Sequence, residues 1–577
     1  MPSNQEIARL LAELATLTEL EDGSSNSFRA RAYQNAVRAV EGLAAEATDM
    51  SAAELTKVKG IGTSTARKIR EYADTGSISK LEALRAKYPV GFVELKRVPG
   101  LGPKTLALLR RELGIESLDH LRAALAAEQL RGVRGLGAKT EENLAGSIER
   151  LGLVGKEHRT PILQALPVAE QVVERLRELP EAVRVEYAGS LRRFRETIAD
   201  LDVVVASPEP GPIIRRFSGL SMVSSVVARG GTKCSVLTHG GLQIDLRVVA
   251  PGQFGAALLY FTGSKAHNIL LRQRALERGW TLSEYALTDV ESKRVIAAET
   301  EEDVYHALGM AYIPPPLRED AGEIEAAERG ELPDLMEVDD LRGDLHHHTT
   351  LSRDGHSTLG EVLEAADARG FGYLAITDHG EDLSISGVSR ERMLAQRAEI
   401  AELQSEHPDL VVLHGAELNI GPDGGLDYDD DFLAGFDWCV ASVHSHFRLD
   451  PARQTERIVR AMRHPAVKAI GHLTGRRIGK RPGIDLELDP ILEAAAETGT
   501  ALEINSNLDR LDAPADVLRQ AARRGVLFVI TSDAHRVWEL DNLRFGVLNA
   551  QRGWVERDAV ANTWDTDRFL AWIGRKA

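Results

Sequence analysis

Residues 184–207, RVEYAGSLRRFRETIADLDVVVAS, and 241–249, GLQIDLRVV, decide how the rest of this chain is read. The apolar alternation from Leu201 to Ala206 and from Leu242 to Val249 predicts two neighbouring strands of a half-buried sheet. Asp200 and Asp202 stand two apart, so the period of a strand puts both carboxylates on one face. Asp245 lies inside the second run, between Ile244 and Leu246. A carboxylate in such a place is expensive unless it is paired or holds a metal. Three of them converging make a hard anionic cage suited to Mg2+, which keeps oxygen ligands and carries substrate phosphates. Upstream, Gly189-Ser190 follows a short predicted strand. It offers backbone N–H groups and a hydroxyl to a phosphate, with Arg192 and Arg193 alongside.

The order GS-x-RR, DxD and IDLR, carried here by Gly189, Ser190, Arg193, Asp200, Asp202 and Asp245, resembles the nucleotidyltransferase core of the family X DNA polymerases. Tyr260-Phe261-Thr262-Gly263-Ser264 is similar to that family's sugar-selecting motif, and LSEYAL (282–287) resembles its thumb. The resemblance implies that the three aspartates hold two Mg2+ or Mn2+ ions. It implies that Gly189, Ser190 and Arg193 hold a triphosphate, that Tyr260, Phe261 and Gly263 crowd the sugar 2′ position, and that Asn268 meets the nucleotide in the minor groove. The chain departs from the family at Ile198-Ala199, where Ser-Gly often precedes the first Asp. It also departs at Gln243, where animal members carry an Arg that orients the second-strand carboxylate.

A chain of 577 residues predicts three to five modules with sizeable cores. No window approaches 18 uninterrupted apolar residues, and MPSNQEIARLLAEL has no basic region ahead of an apolar run. A membrane span or export is therefore not expected. Two cysteines, Cys234 and Cys439, exclude a disulfide framework and fit a reducing cytosol. Cytoplasmic, nucleoid-associated localisation and a monomer are the expectations. The net charge of −17 is uneven: residues 57–140 hold 17 Lys+Arg against 8 Asp+Glu, or +9, which leaves −26 for the remainder. A basic module on an acidic chain is the footprint of a nucleic-acid grip.

That module contains a repeat: VKGIGTSTARKI (58–69), VPGLGPKTLALL (98–109) and VRGLGAKTEENL (133–144). Gly-x-Gly ahead of a helix permits a tight turn and aims N–H groups at an anion. The glycine pairs Gly60/Gly62, Gly100/Gly102 and Gly135/Gly137 resemble helix-hairpin-helix elements. These grip the phosphate backbone without reading bases, so binding should be sequence-independent and steeply salt-dependent. The first two are expected to clamp gapped or nicked duplex DNA, and the third to be a structural copy. FRARAYQNAVRAV (28–40) matches the family's N-terminal domain. In family members with 5′-deoxyribose-phosphate lyase activity, the position of Lys68 carries the Schiff-base amine, with Tyr33 and Lys80 in support. Arg67 and Arg70 could lower its proton affinity. The alternative is a phosphate-binding Lys on a basic helix.

Seven apolar runs in the C-terminal part end on metal-capable residues: GDLHHH (343–348), LAITDH (374–379), VVLHGAELNI (411–420), CVASVH (439–444), VKAIGH (467–472), ALEIN (501–505) and VLFVITSDAH (526–535). Helical stretches separate most of them. Such alternation predicts a parallel, barrel-like sheet with chemistry at the strands' C-terminal ends. Twelve of the 17 histidines lie here. The set resembles the PHP (polymerase and histidinol phosphatase) domain. The resemblance places ligands at His346, His348, Asp354, His379, Glu417, His444, His472, Asp533 and His535. Nine imidazoles and carboxylates suit three Zn2+ or Mn2+ ions better than Mg2+. LSRDG is one residue longer than the family's usual spacing, which makes Asp354 the ligand most at issue. His347 is expected to pack on the other face of its strand. For Arg476, in the turn after His472, contact with substrate phosphate and a surface role are both open.

The expected architecture is multidomain. Helix-hairpin-helix modules occupy 1–85 (lyase-like) and 86–160 (fingers-like), an α+β palm 161–251, a thumb-like nucleotide-selection domain 252–316, an acidic linker 317–340, and a distorted (β/α)7 PHP barrel 341–577. The expected activity is gap-filling synthesis from dNTPs with a 3′→5′ exonuclease. The rivals are a phosphatase with a degenerate palm and a non-catalytic protein that bridges DNA ends.

Overall fold

The N-terminal helices begin where glycine frees the backbone. Gly62 and Gly102 sit in extended conformation immediately ahead of helices Thr63–Thr75 and Pro103–Leu113, and Gly76 and Gly114 close those helices in the left-handed region. Gly60 has φ +105°, and a Cβ there would meet the Asn35 carbonyl oxygen at 3.0 Å, so the first hairpin requires glycine. A computed structural model describes residues 4–575 except 25–26, 42, 44–45, 90–91, 94, 99–100, 134, 138–139, 142–143 and 145–158. Gly100, expected in the second hairpin, therefore lies outside the described residues. Gly135 and Gly137 lie inside them, and the Gly137 carbonyl accepts from Thr140 and Glu141. Leu11, Leu14, Ile69, Leu84, Leu106 and Leu109 form one buried core beneath these helices. Each contributes about 1.5–3 kcal/mol by leaving water.

The chain divides into two units. The first comprises residues 1–158 with 219–225 and 237–242, and the second holds the remainder. In the second unit the expected strands Asp200–Ala206 and Gln243–Val249 run parallel and adjacent. Arg184–Tyr187 pairs antiparallel on the other side of Asp200–Ala206. The sheet has five strands in all. Helix Phe254–Thr262 carries Tyr260 and Phe261 in its last turn, and the apolar run FGAALLYF is buried along most of its length.

The acidic stretch 317–340 is not a free linker. Pro315–Leu317 and Glu323–Arg329 are helical. Leu317, Ile324 and Ala327 join a core with Leu259, Leu271, Val304 and Tyr305. Ile324 and Ala327 are three apart, so one helix face is apolar although its glutamates dominate the composition.

Seven parallel strands follow in strict chain order: Gly343–Asp344, Tyr373–Ile376, Val411–Asn419, Trp438–Ser442, Val467–Gly471, Ala501–Asn505 and Phe528–Thr531. The first stops at Asp344. His346–His348 continue as extended chain, and His348 N–H donates to the Ala534 carbonyl at 2.8 Å, which brings first and last strands together into a nearly closed barrel. Strand period two sorts the residues. Leu374, Ile376, Cys439, Ala441, Leu502 and Ile504 pack outward with the helices. Tyr373, Ala375, Leu413, Trp438, Val440, Ala501 and Val529 fill the inside. Continuing the inward series up the strands leads to Glu417, Glu503 and Asp533. Among the described residues, no helix is long and apolar enough to cross a membrane.

Candidate functional site

In the palm, Asp202 and Asp245 are register partners across the parallel strand pair, and Asp200 is partnered with Gln243. Among the described residues, no Lys or Arg lies within 4.0 Å of Asp202 or Asp245. Burial, then the charges of Asp200 and Asp245, push the Asp202 carboxyl up to about 7. Carboxylates crowded together so that Arg193 and Arg247 do not offset their repulsion fit a divalent-ion site. The donor set, carboxylate oxygens only, fits Mg2+ or Mn2+. Asp245 is oriented by Gln243, whose Nε2 donates to Oδ2 at 2.9 Å, and by the Ser235 hydroxyl. Gln243 thus fills the role for which the sequence offered no Arg. Ser235 escaped sequence reading because it lies on another strand.

Gly189 has φ +64°, and a Cβ there would come within 2.6 Å of Asp202 Oδ2. The turn and the carboxylate both demand glycine. Ser190 follows on the short helix Gly189–Arg192, and its carbonyl accepts from Arg195 N–H at 2.9 Å. Arg192 is committed to the structure, donating to Glu301 at 2.7 and 2.9 Å and to Thr262 Oγ1 at 2.8 Å. Burial would raise Glu301, but Arg318 and Arg192 outweigh it and hold the carboxyl at about 2. Arg193 donates Nε to Glu319 at 3.0 Å and Nη1 to the Thr262 carbonyl. Among the described residues, two of its five donors are engaged. Gly263 (φ +70°) closes the helix against Arg193, with the guanidinium 3.1 Å from where a Cβ would stand. Tyr260 and Phe261 meet edge-to-face at 5.2 Å. Asn268 donates Nδ2 to the Tyr260 carbonyl at 2.7 Å.

In the N-terminal unit, Lys68 Nζ donates to Ser64 Oγ at 2.9 Å and lies 5.6 Å from the Tyr33 ring centre. Lys80 pairs with Glu21 at 2.9 Å and Arg70 with Asp74. Arg70, expected to act on Lys68, is thereby ion-paired.

The barrel brings all nine expected ligands to one mouth. Three groups could each hold an ion: His348 with His379 and His535, His346 with His348 and Asp533, and His379 with Glu417 and His444. His472 Nε2 reaches Glu417 at 2.9 Å, and Asp354 reaches His379 at 3.2 Å despite its longer loop. His346 Nε2, both nitrogens of His348 and His379 Nδ1 are buried without a hydrogen bond. Orphaned imidazole nitrogens beside carboxylates fit metal coordination. Burial would lower His379, yet Glu417 and Asp354 lift it to about 10, so the site calls for positive charge. His472 (φ +26°) and Asp533 (φ +50°) adopt the left-handed region, which turns each side chain back toward the mouth. His347 is buried, 3.7 Å from Asp344 and away from the ring, as expected.

A second layer orients the first. Glu503 Oε1 meets His346 Nδ1 at 2.5 Å, and its Oε2 accepts the His472 N–H. Asn419 Oδ1 meets His444 Nδ1 at 2.7 Å and is itself held by Asp427 at 2.7 Å. Each partner fixes which imidazole nitrogen faces the ions. Glu503 was absent from the expected ligands, although its two-residue spacing from inward-facing Ala501 marks it. Arg476 takes neither sequence reading: its side chain is 13% exposed and bonded within the protein.

Fold and site together define a nucleotidyltransferase palm joined to a metal-binding PHP barrel. The model of the DNA polymerase beta thumb matches residues 257–319, and the PHP domain matches 344–507. A helix-hairpin-helix domain matches residues 2–78, and a SAM-like helix-hairpin-helix tandem 92–148. The chain is 38% identical over 573 residues to the DNA polymerase/3′-5′ exonuclease PolX of Bacillus subtilis, covering 98% of this chain and 99% of that protein. DNA polymerase lambda of Rattus norvegicus is 26% identical over 353 residues, 55% of this chain and 58% of its own. A probable phosphatase of Vibrio atlanticus is 30% identical over 212 residues, 34% of this chain and 79% of its own. The chain belongs to the PolX family, the family X DNA polymerases that carry a PHP domain.

Proposed function

We propose that this chain is a DNA-directed DNA polymerase that fills short gaps in DNA and trims 3′ ends with a separate 3′→5′ exonuclease. The observation that carries the reading is the register pair Asp202–Asp245 beside Gly189, with no ion pair to Lys or Arg among the described residues. The hairpins at Gly60/Gly62 and Gly102 hold the DNA backbone around a gap. Ser190 and the free donors of Arg193 hold the dNTP triphosphate. Tyr260, Phe261 and Gly263 set the sugar, and Asn268 faces the base edge. Asp245, steadied by Gln243 and Ser235, orients the primer 3′-hydroxyl and draws its proton. The 3′-oxygen bonds to the α-phosphorus as the bond to the β-phosphate oxygen breaks, and pyrophosphate leaves. Two Mg2+ or Mn2+ ions on Asp200, Asp202 and Asp245 would neutralise the attacking and leaving oxygens.

In the barrel, the nine-ligand ring would hold three Zn2+ or Mn2+ ions, which make a water nucleophilic at neutral pH. A water oxygen bonds to phosphorus, the bond to the 3′-oxygen breaks, and a nucleoside monophosphate is released. We assign Lys68 to a DNA phosphate, since Arg70 is engaged by Asp74. A borohydride-trapped adduct with abasic DNA that disappears in Lys68→Ala would overturn that assignment in favour of lyase chemistry. Gapped DNA incubated with Mn2+, with and without dNTPs, tests the whole reading. Extension and shortening are expected respectively. No extension would revive the phosphatase alternative, and binding without any turnover the bridging one.

A further inference from the structure

The mouth of the barrel is a cavity of about 320 Å3 whose lining includes Arg477, Asn507, Arg510 and Arg536 above the ligand ring. Cationic side chains on that lining are placed to draw in a DNA phosphate. Arg477 is engaged by Asp509 at 2.8 Å. Arg510 differs. Its side chain is only 12% exposed, and among the described residues it makes an ion pair with Asp533 Oδ2 at 3.6 Å, beyond hydrogen-bond range. A guanidinium so nearly enclosed normally has its donors bonded. This one lines the cavity beside a metal ligand, and among the described residues its planar fork makes no hydrogen bond, the geometry that suits a phosphate.

The backbone under Arg510 is held from the palm. The Arg510 carbonyl accepts from Arg476 Nε at 2.8 Å, and the Leu511 carbonyl accepts from Arg476 Nη2. Leu511 has φ +42°, a conformation that needs such support. On its far side the same Nη2 donates to Glu196 Oε1 at 2.8 Å. Glu196 belongs to the palm loop after Ser190 and Arg193. That loop is pinned to the barrel's helix Leu543–Arg552 by Phe194 stacked on Phe545 and by Arg552 donating to the Phe194 carbonyl at 3.1 Å.

We propose that Arg510 binds the non-bridging oxygens of the substrate phosphate in the nuclease site, and that Arg476 and Glu196 are positioning residues that set it. The palm is then a structural part of the nuclease. This rests on the exonuclease reading above.

The test uses the full chain, a single-stranded oligonucleotide with Mn2+, inorganic phosphate as a competing ligand, and bound metal measured by mass spectrometry. Arg510→Ala should raise KM and weaken phosphate inhibition about 10- to 100-fold, with metal content unchanged. Arg510→Lys should recover part of both. Glu196→Ala, a palm substitution, should raise the same KM and phosphate constant about 3-fold. Unchanged phosphate inhibition in Arg510→Ala, or loss of its metal, overturns the role of Arg510. A Glu196→Ala enzyme with wild-type nuclease constants overturns the positioning pair. Wild-type protein that leaves the oligonucleotide intact defeats the nuclease reading instead, and phosphate binding by calorimetry still decides Arg510.

Discussion

The palm and the barrel gather negative charge in opposite ways. The palm takes three carboxylates from two adjacent strands, leaves Asp200 exposed, and steadies Asp245 with Gln243 and Ser235. The barrel takes imidazoles and carboxylates from six of its seven strand ends and the Asp354 loop, buries most of them, and adds Glu503, Asn419 and Asp427 behind. An open oxygen-only site suits ions that arrive and leave with a triphosphate. An enclosed site of mixed nitrogen and oxygen ligands, held by a second layer, suits ions that stay.

The largest effect should come from the palm. Asp245→Asn is expected to lower primer extension by about 10³-fold, since it removes a ligand for ions worth several kcal/mol in the transition state. The nuclease should continue, and parallel loss of both activities would break the separation of the two sites. Next comes the buried pair beneath the triphosphate loop. Glu301→Gln leaves Arg192 and Arg318 facing each other without their carboxylate and should destabilise the second unit by about 3–5 kcal/mol in denaturant melts. With the Glu301 carboxyl held at about 2 against an ordinary 4.5, its contribution is complete above pH 4.5 and fades as pH falls toward 2. The variant should therefore lose that part of the acid transition.

In the barrel, Glu503→Gln should weaken metal affinity about 10- to 100-fold by releasing His346, read by competition with a chelator. Palm extension at saturating Mn2+ should not change. An unaltered affinity would mean the ring needs no second layer and would erase the contrast with the palm. The smallest effect belongs to Gln243→Ala, which frees one oxygen of Asp245. About 1 kcal/mol, or roughly a 5-fold fall in extension, is expected.

Much was legible because periodicity and chemistry coincide. DLD before an apolar run could only put two carboxylates on one strand face, and seven apolar runs each ending in His, Asp, Glu or Asn announced a barrel with its site at one end. The packed segment 317–340 was missed because composition hid a short apolar face, Ile324 and Ala327, among glutamates. Arg476 was misjudged because a side chain's partners can lie 280 residues away, as Glu196 does.

From the residues alone came the ligand types, the strands that carry them, the glycines that let helices approach phosphate, and the family resemblance. These are local properties, set by spacing and backbone freedom. Only the folded chain decided that Asp202 faces Asp245 in register, that Gln243 and Ser235 steady the second carboxylate, that Glu503 stands behind His346, and that Glu196 of the palm bonds Arg476 of the barrel. Those contacts join segments far apart in the chain, and no local pattern encodes which distant surface a side chain will meet.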